Sequence, residues 1–560
     1  MKNIRHLLIL LCGMGWSSMG LTYCWSDTIF KSNIENLFPG APGSPALSEN
    51  DASRFLNQTT FGAKLSEIRH LQGVGIDNWL DEQISLPVTL QEPCMQAVLD
   101  DPDLPLYQNS RQESWFLNSA EGEDQFRQRM AFAWSQLFVV SDQGSLGNEV
   151  MGLAKYYDML ALNAFGNYRD LLEDVTKNTM MGFYLGMFRN AKADPVAGTQ
   201  PDENYAREVL QLFSIGLHQL NMDGTEILDI DDNPIPTYDQ TVIENFARVF
   251  TGWNYAGCPD NNWEWCHPGQ DEVDGYAPME PIEAYHDTDP KTLLNGQLVP
   301  GGQTAQQDLD AALDNIFNHP NVPPFISKQL IQRFVTSNPS PAYVLRVSNV
   351  FANNGSGVRG DMEAVMRAIL TDDEARNNSF ITQPAYGKLK EPLIRYLNIL
   401  RAFEARSPTG RYGNWNPEFA YLQRALGSPS VFNFYKPGFQ LPGPIRDQGL
   451  VSPEFQITSE TTVVTIGNEM NQATNRGHHL YNHWNDSMPL LQLQRELLIH
   501  DDTNALLDHL DLLLFAGQMS AHTRTTVANM YDNLEDDDAV ERIASLLYVL
   551  SLSPEFVIQR

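Results

Sequence analysis

The most distinctive string in the chain is Asp202-Glu203-Asn204-Tyr205-Ala206-Arg207-Glu208-Val209-Leu210-Gln211-Leu212-Phe213-Ser214-Ile215-Gly216. On a helix, Glu203, Asn204, Arg207, Glu208 and Gln211 share a polar arc of about 140°. Two carboxylates flanking an arginine are the groups that acid–base chemistry or a divalent cation uses. The same spacing also describes an amphipathic helix with a solvated or structurally paired face, Glu203 and Arg207 standing at i,i+4. A second string, Tyr285-His286-Asp287-Thr288-Asp289-Pro290-Lys291-Thr292, sets a histidine beside carboxylates. That composition suits a metal ligand, a general base, or a turn held by Asx hydrogen bonds.

Glu203, Arg207, Glu208, His286 and Asp287 are therefore the candidate catalytic set. Acting together, they would have to converge on one cleft, with Trp253 and Tyr435 as aromatic lining. One carboxylate would then serve as acid and the other as base, with or without a divalent cation. Two further clusters are weaker. His479 and His483 stand at i,i+4 but lack the pattern of a zinc protease. Asp229, Asp231 and Asn233 imitate the start of a calcium loop, yet Pro234 and Gln240 replace its glycine and closing glutamate. GxSxG, P-loop and strand–GxGxxG–helix signatures are absent, and no cofactor is named by the residues.

The elements that must position these groups read as helices. Phe126, Met130, Ala133 and Leu137 recur at helical spacing, with Arg127 and Gln128 on another side. The stretches 308–317, 360–370 and 538–552 share that pattern. Thr237 and Gln240 fit a capping box ahead of a stripe from Val242 to Trp253, with Glu244 and Arg248 at i,i+4. Gly216 and Gly252 read as helix stops. Loop-rich sequence fills 222–238, 254–302 and 407–453. A faint echo links 365–374 with 546–555, too little for a solenoid.

Length, 560 residues, allows three or four ordinary domains or one large one. With 42% hydrophobic and 10% aromatic residues, the chain is not a disordered one. A net charge of −33 argues against nucleic acid. Residues 1–26, with Lys2 and Arg5 ahead of a short apolar run, read as a secretory signal, and 27–50 as a Pro/Gly/Ser-rich approach segment. No later segment has 18 uninterrupted apolar residues, so no transmembrane helix is expected in the mature chain. An oxidising compartment permits a bridge between Cys258 and Cys266.

Ordered strings across the chain resemble the bacterial family known as domain of unknown function 1800. They include Ala52–Gly62, Trp79–Gln83, Arg129–Phe132, Glu203–Glu208, Phe250–Trp253, His286-Asp287, Lys291-Thr292, Phe325–Leu330, Ser428–Tyr435 and Ser553–Arg560. Asp202 departs from the family's usual Asn. The resemblance implies a mainly α fold, one large multi-helix domain over 51–560 with long loops and minor β elements, in an exported bacterial protein. It implies no reaction. It associates the chain with a sulfatase-like family often encoded alongside, a candidate envelope partner. The leading expectation is an exported, periplasmic or extracellular binding or accessory factor; the rival is a secreted hydrolase of an extracellular polymer or ester.

Overall fold

A computed structural model describes residues 47–560 except 271, 414–416, 477–486 and 535–536. The signal at 1–26, most of the 27–50 segment and His479 and His483 lie outside the described residues.

Helices make up 52% of the protein, in about 25 segments, with three two-stranded antiparallel sheets among the described residues. One apolar cluster runs from Ala52 to Phe556 and joins helices from both ends of the chain into a single mainly α body. Polar contacts close the same circuit. Ser53 Oγ donates to the Leu512 carbonyl at 2.6 Å, and Lys388 pairs with Gln559 in a two-stranded sheet.

At the centre, the helix Gln125–Ser135 is buried on every side. Sequence spacing placed Arg127 and Gln128 on a second, polar side, but both are enclosed. Backbone carbonyls take most of their donors: Arg127 reaches the Ile84 carbonyl at 2.7 Å, and Gln128 the Thr89 carbonyl at 2.8 Å. Long polar side chains can line an interior when each finds a carbonyl.

The three helical stretches read from spacing form Ala305–Phe317, Met362–Thr371 and Ala539–Ser551. Thr304 and Gln307 build a capping box on the first, and Asp361 and Asp538 cap the others. The echoing segments share a local design: each long helix is followed by a one-turn helix, Asp373–Arg376 or Pro554–Val557, with its own Asp372 or Ser553 cap.

The Thr237 capping box is corrected. The helix Gln240–Val249 starts behind Asp239, whose side chain accepts from the Val242 N–H. Thr237 is held outside it by donating to the Gly216 carbonyl at 2.5 Å. Gly216 itself has φ 73°, and a Cβ there would come within 2.9 Å of the Phe325 ring. Both the backbone conformation and the close ring demand glycine.

Candidate functional site

The first candidate cluster grows from the helix Asn204–Gln211. Tyr205, Ala206, Val209 and Leu210 bury its apolar side, and Tyr205 meets Phe250 edge-on at 5.0 Å between centroids. Arg207 Nη2 lies 3.0 Å from Glu203 Oε2, which also accepts from Gln240 Nε2 at 2.9 Å. This pair is about two-fifths exposed at its arginine, so it adds at most ~1 kcal/mol.

Glu208 behaves differently. The helical wheel put it in the polar arc, yet it is only 7% exposed and its Oε2 is enclosed with no hydrogen-bond partner among the described residues. Burial raises its carboxyl above the ordinary range, against the opposing pull of Arg207. The Tyr238 hydroxyl is likewise enclosed with no partner among the described residues, and burial pushes it up to about 12. Tyr184, bonded to Ser428, also feels the Glu208 charge.

His286 and Asp287 sit in a second, sealed cluster. His286 is fully buried, with Nδ1 3.0 Å from the Thr251 carbonyl and Nε2 3.2 Å from Asp308 Oδ2. Lys291 Nζ, also buried, donates to the same Asp308 oxygen at 2.6 Å, and Gln303 reaches the other oxygen at 2.7 Å. Arg248 grips Asp287 with two parallel bonds of 2.9 Å. The expected Glu244–Arg248 pair is therefore not the one formed; a bidentate carboxylate outcompetes a single surface contact. The Asx turn is present, Asp289 N–H donating to Asp287 Oδ1 at 3.0 Å. Gly252, at φ 91°, lets the chain pass His286: a Cβ would stand 3.0 Å from the His286 backbone nitrogen.

Desolvation alone would raise the Asp308 carboxyl. Hydrogen bonds from His286, Lys291 and Gln303, with the Lys291 charge, outweigh it and hold Asp308 low. Asp287 is held low in the same way, burial being overcome chiefly by the Arg248 bonds.

Among the described residues, no hydrogen bond or ion pair joins Glu203, Arg207 or Glu208 to His286 or Asp287. The helix Gln240–Val249 stands between them, Gln240 touching Glu203 at one end and Arg248 holding Asp287 at the other. Eight residues at 1.5 Å each separate those anchors by about 12 Å along the helix axis. Asp308 escaped the sequence reading because it lies 22 residues beyond His286, which is in a loop, and stands on the helix Ala305–Phe317. A signal existed: it is a lone carboxylate on the buried stripe with Leu309, Ala312, Leu313 and Ile316.

Among the described residues, no three His, Cys, Asp or Glu side chains are grouped to hold a metal ion. The calcium-like Asp229 closes a turn, accepting the N–H groups of Asp231 and Asn233 at 2.8 and 2.9 Å. No described helix is long and apolar enough to cross a membrane. Cys258 and Cys266 are disulfide-bonded. Their loop is pinned by Arg189, which donates to the Glu264 and Cys266 carbonyls, and by Trp263 stacked on Tyr285 at 4.2 Å. Trp265, on the same loop, is 78% exposed.

The sequence profile described as "Protein of unknown function (DUF1800)" matches residues 54–558. The chain belongs to the DUF1800 family. No curated protein and no solved structure matches it. Arg129, from one of the strings that carry the DUF1800 resemblance, donates from Nη2 to the Arg333 carbonyl at 2.7 Å, and Lys388 Nζ donates to the same oxygen at 2.9 Å. Arg333 lies over the Tyr435 ring at 4.7 Å, and Lys388 pairs with Glu454 at 2.9 Å. Glu391 is fully buried beside them; Lys388, Arg129 and Arg333 overcome its desolvation and keep its carboxyl low. Two of the DUF1800 strings, through Arg129 and Tyr435, thus meet in an interior charge network.

Proposed function

We propose that this DUF1800 protein is exported and acts at the cell envelope as a binding or accessory factor. The observation that carries the proposal is the Cys258–Cys266 loop. It presents an almost bare Trp265 on a backbone fixed by a disulfide, a guanidinium and a ring stack. A large, rigid aromatic of this kind loses little entropy on contact, as anchors of protein interfaces do. The disulfide also supports an oxidising compartment. The sulfatase-like protein associated with the family is the partner to test first. Chemical cross-linking of that pair should give a defined heteromeric product that Trp265→Ala reduces. A purified pair that neither cross-links nor co-elutes would end the proposal for that partner, and an unchanged product with Trp265→Ala would end it for the loop.

The hydrolase reading retains one supporting observation, the partnerless, upshifted Glu208 beside Tyr238. A carboxyl whose protonated form is favoured by burial suits a general acid. In that reading, hydrolysis of ester or glycan substrates would be lost in Glu208→Gln. The Glu203–Arg207 pair would orient the substrate, while His286 and Asp287, held at the other end of the Gln240–Val249 helix, would take no part.

A further inference from the structure

The helix Leu65–Val74 and the helix Gln494–Ile499 both line a cleft of about 1000 Å³ that includes neither cluster described above. Two imidazole–carboxylate pairs line it. His70 Nε2 lies 2.6 Å from Glu82 Oε2 at an exposed edge, and His509 Nε2 lies 2.7 Å from Glu496 Oε1 in the interior. Glu496 is 3% exposed, and its second oxygen is enclosed with no hydrogen-bond partner among the described residues. A buried carboxylate oxygen is costly unless a donor meets it. Glu404, on the same cleft and at φ 43°, has an exposed carboxylate that no described residue hydrogen-bonds.

We propose that this cleft binds a primary ammonium group, seated on Glu496 Oε2 with Glu404 as its second acceptor. The donor count selects the ligand. His509 already occupies one Glu496 oxygen, so a single acceptor remains there. A guanidinium wants both oxygens of a carboxylate in a planar fork, whereas an ammonium is a point charge with three rotatable donors. A quaternary ammonium has no N–H to offer and favours an aromatic cage, whereas among the described residues Phe403 is the single Phe, Tyr or Trp lining the cleft. The net charge of −33 concentrates cations around the whole molecule.

The ammonium has two sources, a free diamine or a lysine side chain in a peptide. Isothermal titration at physiological salt, where surface attraction is screened, uses cadaverine and a trilysine peptide as probes. Tetramethylammonium and maltotriose serve as controls. The expected result is saturable binding with Kd below about 1 mM for at least one amine, weakened roughly tenfold or more by Glu496→Gln. Tighter binding of trilysine assigns the peptide source, and tighter binding of cadaverine the free amine. Glu404→Gln, at an exposed position, should weaken the same binding without touching the fold, and decides the matter if Glu496→Gln does not fold. The proposal is overturned by no saturable binding of either amine, by unchanged affinity in the variants that fold, or by equal binding of either control.

Discussion

Asp308 is the residue whose removal tests the sealed cluster most directly. Asp308→Ala takes away the partner of Lys291 Nζ, which is 1% exposed, together with the Nε2 contact of His286. Breaking a buried ion pair from one side costs about 3–5 kcal/mol, toward the lower end here because Lys291 Nζ keeps the Asp287 and Asp289 carbonyls and lies 3.7 Å from Asp287 Oδ1. With about 1 kcal/mol/K of unfolding entropy for a chain of this size, that loss lowers Tm by roughly 3–5 °C. The assay is urea denaturation followed by circular dichroism, with calorimetry in parallel. The double variant Asp308→Leu/Lys291→Met exchanges the pair for apolar side chains and should recover more than half of the loss. His286→Ala leaves the Lys291–Asp308 bond intact and should cost less than Asp308→Ala. The reasoning is refuted if Asp308→Ala lies within about 1 kcal/mol of the native protein, the size of an exposed ion pair.

Three other outcomes follow from the same physical chemistry. Asp287 and Asp308 have carboxyls depressed in the fold, so their stabilisation is present above the unfolded value of 3.8 and lost as pH falls through their lower folded values. Acid titration of stability should therefore be shallower below pH 3.8 in Asp308→Asn than in the native chain. Lys390 is buried, donates to Asn398 Oδ1 at 3.2 Å, and is depressed by burial to about 7. Its unfolded form binds the extra proton, so stability should rise between pH 7 and 10.5 by up to about 1.4 kcal/mol per pH unit, and Lys390→Met should flatten that slope in urea titrations. Reducing the Cys258–Cys266 bridge frees a short loop, worth about 2–3 kcal/mol in chain entropy, and should quicken proteolysis near Trp265. An unchanged cleavage rate after reduction would show that Arg189 and the Trp263–Tyr285 stack hold the loop alone.

Much of the fold was legible. Helical spacing found the segments that became Ala305–Phe317, Met362–Thr371 and Ala539–Ser551, because each buries one stripe against the body and carries its own cap. Spacing failed at Gln125–Ser135, where no face meets water and a polar arc carries no information about exposure. It failed again at Arg248, which had a local partner in Glu244 and took a distant one in Asp287. Local rules rank neighbours along the helix, while a bidentate bond depends on which carboxylate the fold delivers.

Spacing and residue type were enough for the helical body, the i,i+4 pair of Glu203 and Arg207, and membership in a family recognised by ordered strings, and they offered the turn at Asp287–Asp289 as one reading among three. Those are properties of spacing and of side-chain type. Tertiary structure alone decided that Glu208 turns inward while Glu203 stays wet, and that His286 is spent on Asp308. It also brought Glu496 and Glu404 to one cleft across some ninety residues of chain. Burial and hydrogen-bond satisfaction are set by everything that packs around a group, and no window of sequence contains that surrounding.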